Sequence, residues 1–195
     1  MRVIAGSARR LKLKTLEGMN TRPTQDIIKE TLFNILQVHV PGSRFLDLFA
    51  GSGSIGIEAL SRGASKAVFL ENDRRAMDII RSNLEFTHLR DRAVLIQGDA
   101  LSGLNQLERK GGFHLIYLDP PYGKGLEDKV LEYLSRSSLL EPEGIIILET
   151  SRKTEYPYLE ELGYVVWKEK VYRHNRHLFL QKAAEEPDGF EKSSQ

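Results

Sequence analysis

Leu46-Asp47-Leu48-Phe49-Ala50-Gly51-Ser52-Gly53-Ser54-Ile55-Gly56 decides the fold of this chain. The run Arg44–Ala50 is apolar and of strand length. Glycines at 51, 53 and 56 follow in a G-x-G-x-x-G spacing, and Ile55–Arg62 continues with helical spacing. Strand, glycine turn and helix in that order open a βα unit. The same alternation continues downstream. Strand-like runs are Lys66–Leu70, Ala93–Gln97, His114–Leu118 and Gly144–Glu149. Between them lie Arg74–His88, Leu101–Arg109 and Leu126–Leu140, whose apolar residues recur at three or four. Alternating units of this kind predict a parallel sheet with helices on both faces.

Both ends of the chain depart from that rhythm. Tyr164–Tyr172 and His177–Lys182 read as two strands joined by Arg173-His174-Asn175-Arg176, an antiparallel hairpin that closes the sheet. At the start, Arg2–Ile4 and Arg10–Lys14 read as a short basic hairpin around Gly6-Ser7. Arg22-Pro23-Thr24 then opens a helix, with Asp26 in its first turn and Ile27, Ile28, Thr31, Leu32, Ile35 and Leu36 as its apolar stripe. The expected fold is α/β: a doubly wound, mostly parallel, seven-stranded Rossmann-like sheet with a C-terminal antiparallel hairpin and a small N-terminal hairpin plus helix. The expected division is an appendage over 1–43, a core domain over 44–183 and a disordered acidic tail over 184–195.

Composition narrows the function. The chain has 195 residues, 41% hydrophobic and 28% charged, as in an ordinary globular protein. It has no cysteine, which excludes disulfides, thiolate metal sites and cysteine nucleophiles. No apolar run approaches about 18 residues, so no membrane partner is expected, and no apolar stretch of signal-peptide kind follows the first basic residues. Net charge is +1, but it is unevenly placed. Residues 1–22 hold Arg2, Arg9, Arg10, Lys12, Lys14 and Arg22 against Glu17, a balance of +5. Residues 164–182 carry a balance of +4. Two basic segments suggest a polyanion partner if they meet in space; solvated strand faces explain the same charges equally well.

The glycine turn alone is compatible with a dinucleotide. Two features point to a different nucleoside cofactor. Asp47 sits just ahead of the turn, where a carboxylate would repel a pyrophosphate. Asp47, Glu71, Asp99 and Asp119 also lie at or near the ends of successive strands. A single acid at such a place is most often a helix N-cap. Four on one rim make an anionic crevice suited to a sulfonium bearing an amino acid. Ligands in open α/β sheets bind in the crevice outside these strand ends.

Asp119-Pro120-Pro121-Tyr122 stands at the same edge, after Leu115–Leu118. Two prolines can extend neither strand nor helix interior, so they fix a stiff corner. The corner offers a carboxylate, a backbone carbonyl and a ring to one planar substrate; a capped turn with a packed Tyr is the plainer alternative. His174 and His177, with no cysteine and no helical carboxylate beside them, are assigned to the hairpin surface or to RNA contacts rather than to a metal.

On these residues the chain resembles the class I S-adenosylmethionine-dependent methyltransferases. DLFAGSG at 47–53 is similar to their first motif, Glu71 to the acid that binds the ribose, Asp99 in QGDA to the residue at the adenine, and DPPY to the amino-methyltransferase signature. RVIAGSARRLKL, the RPT before KETLFNIL, DLFAGSGSIGIEALSRGA and DPPY together are similar to the bacterial 16S rRNA guanine-N2 methyltransferase family, the RsmD type. That resemblance implies S-adenosylmethionine as cofactor, held by Asp47, Phe49, Ala50, Gly51, Gly53, Glu71, Asn72, Asp99, Ala100 and Asp119. It implies Asp119, Pro120 and Tyr122 as catalytic, and Arg9, Arg10, Lys12, Arg22, Pro121 and Tyr122 as RNA-binding. It implies 16S rRNA in an assembling small ribosomal subunit as partner, a monomer, a cytoplasmic setting and no metal. The competing readings are a DNA adenine or protein glutamine methyltransferase, a non-catalytic RNA-binding module, and a nicotinamide dehydrogenase.

Overall fold

In a computed structural model, which describes residues 1–16 and 23–184, seven strands form one sheet in the order β3-β2-β1-β4-β5-β7-β6. The first five are β1 (Arg44–Asp47), β2 (Lys66–Glu71), β3 (Ala93–Gln97), β4 (Phe113–Leu118) and β5 (Leu140–Ser151). They pair in parallel. The last two, β6 (Tyr164–Val171) and β7 (Asn175–Lys182), form the antiparallel hairpin that docks on β5. Among the described residues the α-helices are α1 (Pro23–Ile35), α2 (Ser54–Ser61), α3 (Arg74–Phe86), α4 (Ala100–Leu107) and α5 (Leu126–Arg136).

Strand residues alternate between two cores, as period-two geometry requires. Leu115, Tyr117, Ile145 and Ile147 face α1, α2 and α3, while Ile116, Leu118, Ile146 and Leu148 face α4 and α5. Both faces are covered, so the central strands read as continuous apolar runs rather than alternating ones. The order reverses between β1 and β4, and the crevice opens at the ends of those two strands.

Three expectations need correction. α5 stops at Arg136, not Leu140, because the Ser137 hydroxyl accepts from Leu139 N at 2.9 Å and turns the chain into β5 four residues early. β7 already begins at Asn175, so the hairpin turn is shorter than the basic tetrapeptide suggested. On α1, Leu32 and Leu36 are buried as expected, but Phe33 is buried although outside the expected stripe, Ile27 is 60% exposed and Lys29 is buried in its place. The Lys29 ammonium faces inward because it has partners there: it donates to the Arg2 carbonyl at 2.7 Å and lies 3.5 Å from the buried Glu58.

Glu58 also explains how the N-terminal arm is held. It accepts from the backbone of Ile4 at 2.8 Å and Ala5 at 3.0 Å, and from Arg62 at 2.7 Å. Ser61 on the next turn of α2 accepts from Ala8 N at 3.0 Å. Gly6, at φ +83°, passes so close that a Cβ there would stand 1.8 Å from the Ser61 carbonyl. The arm folds back through one antiparallel bridge, Arg2 with Lys12, and buries Val3, Ala8 and Leu13 against the sheet. Trp167 of β6 rests edge-on against His39, just beyond α1. The basic arm therefore packs beside α1, and β6 touches the segment just after it. The tail from residue 185 lies outside the described residues.

Candidate active site

The crevice has two halves. The first is built over β1, β2 and β3. Asp47 ends β1 at 1% exposure and accepts from Gly56 N at 3.0 Å, which ties the strand end to α2. Burial pushes its carboxyl up to about 7, against the pull of the Gly56 N–H and with help from Glu71. Gly51 and Gly53 have φ of +53° and +76°, the left-handed region that glycine enters freely. A Cβ on Gly51 would meet nothing within 4 Å, so the turn is open to the crevice. Gly56 has a different reason: a Cβ there would stand 2.4 Å from Phe69 of β2, so it permits close helix–sheet packing.

Glu71 spans the turn. One carboxylate oxygen accepts from Gly51 N at 2.8 Å and the other from Asp73 N at 2.8 Å. Each oxygen keeps lone-pair capacity for a further donor. Asn72 beside it is exposed. Asp99 caps α4 by accepting from Ser102 N at 3.0 Å, which lowers its carboxyl, and it is exposed at the rim. It is thus both the N-cap that its position suggested and a member of the acidic row. Phe49 is half-buried, while Ala50 and Ala100 are buried beneath the loops they start.

The second half lies over β4, β5 and β7. Asp119 follows β4 and is exposed at the crevice. Desolvation by the surrounding protein, then the charges of Glu149 and Asp47, raise its carboxyl above the usual range. Pro120 is buried, Pro121 is exposed, and Tyr122 presents its ring to solvent at 55% exposure. A cavity of about 130 Å³ beside Asp119 is bounded by Gln25, Ile28 and Lys29 of α1, by Tyr117, and by Glu149 and His177.

Glu149 was not read as a site residue from the sequence, and His177 was placed elsewhere. His177 is wholly buried, so its assignment to the hairpin surface is corrected. Its Nε2 lies 3.0 Å from Glu149 Oε2, and its Nδ1 lies 3.3 Å from the Tyr172 hydroxyl. Tyr117 donates to Glu149 at 2.6 Å, and Asn175 donates to its other oxygen. These donors hold the Glu149 carboxyl below its ordinary value despite burial. Since an ionised carboxylate only accepts, Nε2 is the donor in the contact with Glu149. The signal for this cluster was register: Glu149 pairs directly with His177 across β5 and β7.

The arm carries exposed Arg9, Arg10 and Lys12, which with Arg2 line an open groove of about 890 Å³ beside α1. Asn83 of α3 donates to both the Lys14 carbonyl and the Ser52 carbonyl at 3.0 Å, so it joins the arm to the glycine turn. Arg22 lies outside the described residues. Among the described residues no group of three or more His, Cys, Asp or Glu is placed to hold a metal ion.

The residues present fit a cationic nucleoside cofactor. The turn is open at Gly51, the Glu71 charge raises the proton affinity of Asp47, and the Asp47 charge raises that of Asp119. A positive group between them relieves that repulsion, whereas a diphosphate adds to it.

Comparison with known proteins agrees with the geometry. Residues 1–181 match the model of a family described as "Conserved hypothetical protein 95". Over 171 residues the chain is 40% identical to YlbH of Bacillus subtilis (strain 168), covering 87% of this chain and 92% of that protein. It is 37% identical over 172 residues to ribosomal RNA small subunit methyltransferase D of Haemophilus influenzae, covering 88% of each. The solved structure of yhhF from Escherichia coli superposes with a TM-score of 0.81 at 31% identity, over 95% of this chain and 99% of that one.

Proposed function

The chain belongs to the family described as "Conserved hypothetical protein 95", in which ribosomal RNA small subunit methyltransferase D is a close relative, and from that premise we propose that it is an S-adenosylmethionine-dependent rRNA methyltransferase acting on the exocyclic N2 amino group of a guanine in 16S rRNA. One observation carries this reading: mutually repelling carboxylates around an open glycine turn, with the DPPY corner directly beside them.

Bound at the turn, S-adenosylmethionine supplies an electrophilic methyl group and leaves as a neutral thioether. Everything else falls to the chain. Glu71 and Asp99 take the donors of the nucleoside, and Asp47 keeps the turn in place through Gly56 N. Asp119 accepts one hydrogen of the target amine and the Pro120 carbonyl accepts the other, which frees the nitrogen lone pair for in-line attack. Fixed acceptors aimed at developing charge are usually the largest catalytic contribution in such sites. With the cofactor bound, the amine nitrogen would take its methyl group in exchange for a proton. Asp119, with its raised proton affinity, is a fitting first acceptor for it. Tyr122 offers its exposed ring to stack on the base. No metal is required.

The base must leave its stack to enter the pocket, and loops or unassembled RNA make that step cheap. Arg9, Arg10 and Lys12 on the docked arm hold the phosphate backbone nearby, with the appendage over 1–43 acting as the RNA-binding part. The test is nucleoside analysis of small-subunit rRNA incubated with the protein and methyl-labelled cofactor. The expected product is N2-methylguanosine at one position. Label on adenine, or none on RNA, refutes the proposal.

A further inference from the structure

The pocket beside the DPPY corner contains a second acceptor that the proposed chemistry leaves unused. Glu149 bounds the same 130 Å³ cavity as Asp119 and Tyr117, and its side chain is 17% exposed while its neighbour His177 is sealed. Three donors hold it, from Tyr117, His177 and Asn175. An ionised carboxylate has about four lone-pair sites. One therefore remains, on the oxygen that takes only Asn175, and the carboxylate borders the cavity. A buried carboxylate is costly and is seldom the best way to join two strands. The β5–β7 pairing is complete without it, since the ladder runs from Ile146–Leu180 to Ser151–Asn175 through backbone groups.

Two acceptors side by side suit two adjacent donors. Guanine presents that pattern, with its ring N1–H next to the 2-amino group. Adenine presents its amino group next to a ring nitrogen that is itself an acceptor. We propose that Glu149 is a specificity-determining residue: its carboxylate accepts the N1–H of the target guanine while Asp119 accepts from the neighbouring amino group. The inference rests on the proposed function and goes beyond it by naming how the base is chosen. Tyr117, His177 and Asn175 are positioning residues that fix the carboxylate and keep it ionised. Glu149 facing an adenine N1 would set two acceptors against each other, and the base would be excluded.

The experiment replaces the target guanine in the RNA with 2-aminopurine, which keeps the 2-amino group but has an unprotonated N1, or with 6-thioguanine, which keeps both donors and alters only position 6. The wild-type protein should methylate 2-aminopurine about a hundredfold less efficiently than guanine, as a lost hydrogen bond to a charged group predicts. It should accept 6-thioguanine within about tenfold. In Glu149→Gln the amide can donate to the unprotonated N1, so the guanine to 2-aminopurine ratio should fall to about ten or less. Cofactor affinity should be unchanged. Equal use of guanine and 2-aminopurine by the wild type overturns the inference, and so does an unchanged ratio in a folded Glu149→Gln. If that variant does not fold, the wild-type comparison decides: a 6-thioguanine rate as low as that of 2-aminopurine traces selection to position 6 and also overturns it. No transfer to guanine at all would instead refute the proposed function itself.

Discussion

The half of the crevice over β1, β2 and β3 and the half over β4, β5 and β7 are both lined by carboxylates, yet they are built on opposite plans. In the first half the acids hold backbone. Asp47 takes Gly56 N, Glu71 takes Gly51 N and Asp73 N, and Asp99 takes Ser102 N. Each partner lies at most 20 residues away. In the second half the acid holds side chains from distant strands: Glu149 is 32 residues from Tyr117 and 28 from His177. The first plan shapes loops, and the second fixes one polar group in a small pocket; the proposed division between cofactor and substrate follows that contrast.

The largest effect expected from this difference is on stability. His177→Ala should cost about 3–5 kcal/mol, because it opens a hole in the core and leaves a buried carboxylate short of a donor. Denaturant unfolding measures it. A loss below about 1 kcal/mol would mean that the second half is as loosely held as a surface loop.

Asp47 should behave in the opposite sense. An acid whose folded pKa, here about 7, lies above its unfolded value near 3.8 holds its proton more tightly when folded. Its contribution is therefore full below about pH 4 and is lost as pH rises through 7. Asp47→Asn should gain on the order of 1–3 kcal/mol at pH 8 and almost nothing at pH 4, by melting curves across that range. A cationic cofactor favours the ionised form, so wild-type affinity for S-adenosylmethionine should tighten from pH 6 to pH 8. Flat curves in both measurements would deny Asp47 its place in the crevice.

Tyr122 sharpens the comparison on the substrate side. Tyr122→Ala should cost about 1–3 kcal/mol of transition-state stabilisation and Tyr122→Phe very little, in single-turnover methyl transfer. Smallest per residue are the arm cations. Each phosphate contact adds roughly −0.7 to −0.9 to the log–log salt slope of RNA binding. Replacing Arg9, Arg10 and Lys12 together should flatten that slope and leave cofactor affinity alone; an unchanged slope removes the arm from the interface.

The same contrast explains what the sequence made legible. The glycine turn, the four rim acids and the DPPY corner each sit at the end of an apolar run, so local pattern placed them. The alternation of strands and helices likewise placed the sheet. Glu149 and His177 could not be seen this way. Their meaning comes from the register of an antiparallel pair, set by packing across the whole core. Lys29 was hidden for a related reason: a charged residue in an apolar stripe reads as an interruption until Glu58 and the Arg2 carbonyl are found opposite it.

The central claim is that one half of the crevice binds the cofactor and the other half performs the transfer. Calorimetric titration of S-adenosylmethionine into Glu71→Ala and Asp119→Ala, with single-turnover transfer to the RNA in parallel, tests it most directly. Glu71→Ala should weaken cofactor binding at least about tenfold, the loss of charge-assisted hydrogen bonds. Asp119→Ala should bind the cofactor within about threefold of wild type yet transfer methyl at least about a hundredfold more slowly, as removal of a catalytic acceptor predicts. Asp119→Asn should fall between, because an amide oxygen still accepts. Full transfer by Asp119→Ala, or undiminished binding by Glu71→Ala, would contradict the division.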